Sequence, residues 1–407
     1  MKVLLVNKFN FLKGGADKYF LDLADLLQAN NVEVAKFCMK HPNNLPSKYD
    51  HYFVSNIDFN KKSLWQMLRY VGRILYSFEA KRKFAQLLKE FKPDIIHIHN
   101  IYHQISPSIL TVAKQHNIPV VMHVHDYKLV CPNYKMFCQG RICERCNNHK
   151  FYNCLLHRCF KQSFIRSLLV TVEMYWHHSI LRIYEKNVDR YICPSQFMAD
   201  KLAEWGIDKD KLQTILHYID IDKYQANFDL GNYLLFFGRL DKEKGVDILV
   251  QAVAQVPEVK LKIVGFGPEH KTIKELISQH KLDNRVDLVG PKYGDELKEI
   301  IQKAYAVVVP SLWYEVFGLV ILEAAALGKV VIASKIGGMP EAIKDQQTAL
   351  LFQPGDVQDL VKTIQWAVNN PQDMAQMAKE ARHYMAEAFT PGKHLAQILG
   401  VYQKLKK

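Results

Sequence analysis

No apolar run in this chain approaches the roughly 18 residues that a membrane-spanning helix needs. The opening MKVLLVNKFN is too short in apolar character for a secretory signal and reads as a first buried strand. Cytoplasmic residence, free or peripheral on the inner face of the cell membrane, is therefore expected. Internal repeats with a period of roughly 20 to 50 residues are missing, as are low-complexity tracts, which excludes solenoids and bulk disorder. A dinucleotide fingerprint is missing too: Gly14-Gly15 lacks the GxGxxG pattern, and Gly265-Phe266-Gly267-Pro268 lacks its third glycine. Acidic charge is scarce in one half only. Residues 1–220 hold 31 Lys and Arg against 19 Asp and Glu, and the remaining residues 23 against 22. The basic half shows no nucleic-acid reading motif, so no nucleic-acid partner is expected.

What is present supports two cores. The chain has 407 residues, 49% of them hydrophobic and 23% charged, more than one core normally supports. Short buried runs at 3–6, 32–37, 95–98, 120–124 and 190–193 alternate with helical or loop segments, and a second series follows at 233–237, 260–264, 286–289, 306–309 and 330–333. This is the pattern of two α/β, doubly wound sheets. The polar stretch 217–232 is the candidate hinge, and open parallel sheets bind ligands at the carboxyl ends of their strands.

Chemistry concentrates in PSLWYEVFGLVILEAAALGKVVIASKIGGMPE, residues 310–341. Glu315 falls in a loop after a Val-rich strand, and Glu323 falls in a helix that opens just after Gly318. Backbone N–H groups at a helix start, here at Leu319, suit an anionic diphosphate, and Gly318 lets it approach closely. Carboxylates beside such a site make poor phosphate ligands but good acceptors for ribose and hexose hydroxyls. Arg239 and Lys244 follow another strand, flanked by Gly238 and Gly245, where a guanidinium fork and an ammonium can meet two phosphates. Gly14-Gly15 precedes a helix near the start and can present backbone N–H groups to phosphate or sugar oxygens.

These residues resemble a known family. The spacing of Glu315 and Glu323 with Phe317 and Gly318 between them is similar to the signature of retaining glycosyltransferases of family 4. Gly238-Arg239-Leu240 with Lys244-Gly245 resembles the family's diphosphate clamp, 264–268 its GxGP turn, with Gly267 at the donor, and 337–341 its GGxPE loop. The resemblance implies a GT-B fold, two Rossmann-like doubly wound domains facing across a cleft. They would be an N-terminal acceptor-side domain over 1–220 with a Cys-rich insertion at 131–159, a nucleotide-sugar domain over 225–389, and a C-terminal helix over 390–407 packing back on the first domain. It implies transfer of a sugar from a UDP- or GDP-type donor to a glycan or lipid-linked glycan in surface polysaccharide biosynthesis, with no cofactor required for catalysis. Arg239, Lys244, Glu315 and His125 would carry the catalytic contacts. Gly15, Gly238, Gly267, Phe317, Gly318, Leu319 and Glu323 would complete the donor site. A sugar-nucleotide isomerase of the same architecture and a noncatalytic relative are the alternatives. One departure stands out: His217-Tyr218-Ile219-Asp220 occupies a place where many relatives carry an Asn-Gly turn.

His123 and His125, at the end of one strand, are read as facing opposite sides, so that only one can face the cleft; the resemblance assigns that role, contact with the donor sugar, to His125. No carboxylate is placed as a nucleophile; Asp126 is nearest by sequence, as an orienting or turn-capping group. Six of the eight cysteines lie between Cys131 and Cys159. Cys143, Cys146, Cys154 and Cys159 offer a tetrahedral structural zinc four thiolates, with free thiols or a redox role as alternatives. Finally, Lys61, Lys62, Arg69, Arg73 and 81–83, interleaved with aromatic and aliphatic residues, form a basic amphipathic segment. It is suited to an anionic membrane surface, or else is a solvated basic face.

Overall fold

The structure, a computed structural model, describes residues 1–56 and 64–406, with side chains described from Tyr70 onward in the helix Leu64–Leu75. Lys61, Lys62 and the side chain of Arg69 lie outside the described residues. Fourteen strands follow in chain order: β1 Lys2–Val6, β2 Glu33–Phe37, β3 Ile95–Ile98, β4 Val120–His123, β5 Phe137–Cys138, β6 Arg141–Ile142, β7 Arg190–Cys193, β8 Leu212–Thr214, β9 Leu234–Phe237, β10 Leu261–Val264, β11 Val286–Gly290, β12 Ala306–Val309, β13 Val330–Ser334 and β14 Ala349–Phe352. They form two six-stranded sheets, ordered β2-β1-β3-β4-β7-β8 and β11-β10-β9-β12-β13-β14, and one two-stranded hairpin, β5-β6. Every pairing within the two large sheets is parallel. Strands such as IIHI, VVMH, LLFF and AVVV are buried at every position, as required where helices cover both faces.

Contacts group the chain into two compact units. One comprises Met1–Lys135, Glu144–Ile215 and Leu395–Lys407, the other Met136–Cys143 and Leu216–His394. In the first, the end of the helix Pro391–Leu405 is held by Tyr402, whose hydroxyl lies 2.6 Å from His97 Nδ1, and by Lys406 against Asp94 at 3.0 Å. The same unit encloses a buried ionic knot. Lys128 Nζ donates to Glu173 Oε2 at 2.9 Å and His103 Nε2 stands 3.1 Å from the same oxygen, with Glu173 and Lys128 both almost fully buried. Burial alone would raise the Glu173 carboxyl, but His103 and Lys128 hold it well below the usual carboxylate range. The knot ties the root of the Cys-rich insertion to the helix Phe164–Met174.

The basic segment around 73–83 is partly engaged in internal bonds. Arg73 donates to the Ser55 hydroxyl at 2.7 Å and pairs with Glu79 at 3.5 Å, while Lys83 pairs with Glu79 at 3.1 Å and donates to the Phe53 carbonyl at 2.7 Å. These two cations therefore brace the fold locally.

In the second unit the loops after β9, β10 and β12 meet backbone to backbone. Gly265 has φ +144, and a Cβ there would stand 1.8 Å from the Gly238 carbonyl oxygen; Gly245 has φ +65, and its Cβ would stand 1.9 Å from the Pro310 oxygen. Both positions exclude any side chain by conformation and by space. Gly265→Ala is expected to destabilise the protein by at least about 2 kcal/mol. Gly400→Ala, in the helix Pro391–Leu405 with no neighbouring atom within 4 Å of the new Cβ, is expected to be neutral or stabilising by up to about 1 kcal/mol. Thermal denaturation of the two variants checks the contrast.

Candidate active site

The second unit places its charged residues where the three loops converge. After β9 the chain turns at Gly238, with φ +150, passes Arg239 and a short helical turn Lys242–Lys244, and enters the helix Val246–Ala254 at Gly245. Lys244 Nζ donates to Glu315 Oε1 at 2.6 Å and stands 5.4 Å from the Trp313 ring centroid. The Ser311 hydroxyl donates to the same Glu315 oxygen at 2.6 Å. Glu315 is buried, which alone would raise its carboxyl, yet Lys244 and Ser311 bring it below its ordinary value. Its backbone is clamped as well. The Gly338 N–H donates to the Glu315 carbonyl at 2.8 Å, and a Cβ on Gly337, at φ +62, would meet that oxygen at 2.4 Å.

Gly318, at φ +96, caps the helix Leu319–Ala326, which has no side-chain cap at its start. The Ile321 N–H donates to the Gly318 carbonyl at 2.9 Å, and the N–H groups of Leu319 and Val320 lie ahead of any i−4 carbonyl of the helix. Leu319 and Glu323 are partly buried on that helix. Phe317 is not a surface residue: it is 1% exposed, packed within the core and edge-on to His217 at 5.6 Å. Its contribution is to anchor the loop, and the backbone is what it can offer a ligand. Arg239 is 65% exposed and pairs with Asp241 of its own loop at 2.6 Å. Gly267 packs against this loop, since a Cβ there would lie 2.4 Å from the Leu240 oxygen.

In the first unit, imidazoles gather at the carboxyl ends of β3 and β4. His99 Nδ1 lies 2.9 Å from His125 Nε2. His123 and His125 stack at 4.6 Å between centroids, and His97 and His99 at 4.7 Å. The expectation that His123 and His125 face opposite sides is corrected here: residues two apart on an extended chain share a face. Tyr19, on the helix Gly15–Ala29, packs at 4.3 Å from His123. Gly15 opens that helix after an extended Gly14, again with no side-chain cap. Burial pushes the His125 imidazole down to about 3, so the ring is neutral at pH 7. Asp126 accepts from the Lys128 N–H at 2.9 Å, and burial raises its carboxyl. It is a turn former rather than an exposed nucleophile.

Residues 13–223 match Glycosyltransferase Family 4, and residues 220–384 match Glycosyl transferases group 1. The chain belongs to the family 4 glycosyltransferases. It is 29% identical over 304 residues to an uncharacterized 42.6 kDa protein in the cps region of Klebsiella pneumoniae, covering 74% of this chain and 70% of that one. Among solved structures, sucrose-phosphate synthase from Thermosynechococcus elongatus superposes with a TM-score of 0.73 at 22% identity, over 99% of this chain and 98% of that one. The Anabaena protein HepE, in complex with UDP-glucose, gives 0.69 at 21% identity, over 99% and 100%. These likenesses establish the GT-B fold.

In this family 4 chain the residues brought together by the second unit are Lys244 and Glu315, with the Gly318 helix start adjoining in sequence. Sequence reasoning missed Ser311, two residues after the end of β12, and the His99 contact to His125. It also missed β8 and β14, the last strand of each sheet. The cysteines divide: Cys146, Cys154 and Cys159 belong to the first unit, and Cys143 ends the segment that groups with the second. Among the described residues, the metal-capable side chains whose ligand atoms lie within 4.8 Å of one another do not include these thiols.

The buried histidines carry a pH signature. His125 is pushed down to about 3, and His177 and His394 to about 4, all by burial. Below the ordinary value of 6.5, the unfolded chain takes up protons that the folded chain refuses. Stability is thus expected to be full above that value and to fall as pH drops toward 4, read as a declining thermal midpoint. Nitrogen-detected NMR at pH 5 should show these three rings still neutral.

Proposed function

We propose that this protein is a retaining glycosyltransferase that moves a sugar from a UDP- or GDP-type donor to a glycan or lipid-linked glycan acceptor in surface polysaccharide biosynthesis. The observation that carries this reading is the buried Lys244–Glu315 pair beside the glycine-opened start of the helix Leu319–Ala326. As the glycosidic bond breaks, positive charge grows on the sugar and negative charge on the leaving diphosphate. Lys244 and Arg239 meet the diphosphate, with Gly238 and Gly267 keeping their loops close and the N–H groups from Leu319 adding a positive dipole end. Arg239, exposed and held only by its own loop, can swing to a phosphate at little cost. Glu323 and Glu315 accept from donor hydroxyls, while His125 and the Gly15 backbone serve the sugar from the first domain, 1–220. With no carboxylate placed as nucleophile, retention rests on the leaving phosphate accepting the acceptor's proton on the same face.

A neutral His125, its imidazole pushed down to about 3, supports transfer over the isomerase alternative, which needs an acid/base pair that titrates near working pH. The HepE complex with UDP-glucose and the cps-region relative support the donor class and the pathway.

The test is the thermal midpoint against UDP, GDP and ADP. A ligand at about 100 times its Kd adds roughly 2.7 kcal/mol, and a rise of several degrees is expected with one of them. Glu323→Ala and Lys244→Met should abolish the rise, and an NMR spectrum of the product should show retained anomeric configuration. No shift with any nucleotide would remove the donor-site reading.

For the insertion, we infer a structural zinc on Cys143, Cys146, Cys154 and Cys159 from the Cys-x2-Cys spacing. Among the described residues, half of the sixteen non-glycine residues with positive φ, from Tyr134 to Gln162, fall between 131 and 162, so the segment is dense in tight turns. About one zinc per chain is expected by elemental analysis, with chelation lowering the midpoint and sparing the nucleotide response. Metal-free protein of equal stability would rule the zinc out.

A further inference from the structure

Eight of the fourteen large apolar side chains that are exposed among the described residues lie between Tyr152 and Ile180, so they form a patch rather than a scatter. On the helix Phe164–Met174, the exposed residues Phe164, Ile165, Leu168 and Val172 fall within an arc of about 100°, while Ser167, Val170, Thr171 and Met174 on the other face are buried. Ile165 is 73% exposed and Leu156, on the preceding helical turn, 68%. The stripe continues through Trp176 and Ile180 on the π-helical turn Tyr175–Ile180. There His177 donates from Nε2 to the Leu75 carbonyl at 2.8 Å, tying the stripe to the end of the basic helix Leu64–Leu75.

Along the chain the charge of this segment has one sign. From Arg145 to Val172 the chain carries Arg145, Lys150, Arg158, Lys161 and Arg166 and no acidic residue; Lys150, Arg158, Lys161 and Arg166 are exposed. The next carboxylate, Glu173, is buried against Lys128.

We infer that the helix Phe164–Met174 and its flanking turns are a docking surface for an anionic lipid bilayer, with the apolar stripe seated at the acyl boundary and the lysines and arginines at the phosphate level. A second copy of the chain is the poorer occupant, because a two-fold contact would set these unbalanced cations against one another. The inference deepens the proposed function by naming the surface at which a lipid-linked acceptor is met, and rests on that reading for its purpose.

Co-sedimentation with phosphatidylcholine vesicles, with and without phosphatidylglycerol, tests it. The wild type is expected to bind the anionic vesicles, weakly at high salt, and to leave neutral ones largely unbound. Ile165→Glu with Leu168→Glu should weaken binding at least tenfold, and Lys161→Gln about fivefold, the worth of one charge near an anionic surface. Tyr293→Glu, which changes an exposed aromatic on the second unit, should leave binding unchanged. Thermal midpoints of the variants verify folding, and their nucleotide response, expected intact, separates failure of this surface from failure of the donor site. Wild-type protein that ignores anionic vesicles would overturn the inference. So would a double variant that binds like wild type, or size-exclusion showing a lipid-free dimer that the double variant dissociates.

Discussion

The loops of the second unit depend on backbone passing against backbone. Gly245, Gly265, Gly267 and Gly337 each stand where a Cβ would lie 2.4 Å or less from a neighbouring carbonyl oxygen, well inside contact distance. Three of these four also have positive φ. Such contacts draw the loops after β9, β10 and β12 into one layer, and they do so with no side chain between them. Lys244 is the residue before one such glycine, and Glu315 is the residue whose backbone another contacts. The backbones that carry the ion pair are therefore placed by main-chain geometry, and the side chains meet at 2.6 Å across the gap that it leaves.

A pair held that way has a particular electrostatic character. Desolvation would favour protonated Glu315, and the pair reverses this only because Lys244 and Ser311 both reach the same oxygen. Removing Lys244 would leave the buried Glu315 charge unmatched, a loss usually of several kcal/mol. An arriving anion would offer Lys244 a second partner of the same sign as Glu315, without requiring the ammonium to move far. Preorganised donors of this kind lower the energy of developing charge without a reorganisation cost at the moment of reaction.

Much of this was legible in the sequence, for identifiable reasons. Strands buried on both faces read as continuous apolar runs, and ten strands could be located, the edge strands β2 and β11 among them. The strand β8 could not, because Leu212–Thr214 is three residues long and only partly buried, and β14 was missed although Ala349–Phe352 is a mostly buried apolar run. The loop position of Glu315 and the helix after Gly318 were legible because glycine and a Val-rich run punctuate them. Phe317 was harder. A residue between two polar contacts reads as part of a ligand surface, whereas its ring is turned into the core at 1% exposure. The segment 131–180 was legible only in part. Its cysteines drew attention to a metal, while the helical spacing of Phe164, Ile165, Leu168 and Val172 could be judged exposed only once their partners on the opposite face were seen to be buried.

The imidazole stack bears on the kind of chemistry this fold can support. Four histidine rings lie at the ends of adjacent strands, with His125 depressed to about 3. Were the stack a proton relay, at least one member would need to charge near neutrality, yet protonating His125 would place an ammonium-like charge in a buried aromatic layer beside His99 and His123. Held neutral, the His125 ring instead offers one donor and one acceptor of low charge. The cations Arg239 and Lys244 sit instead on glycine-bounded loops of the second unit. The contrast follows from surroundings: Lys244 pairs with Glu315 and Arg239 with Asp241, whereas burial holds His125 neutral with the His99 ring 2.9 Å from its Nε2.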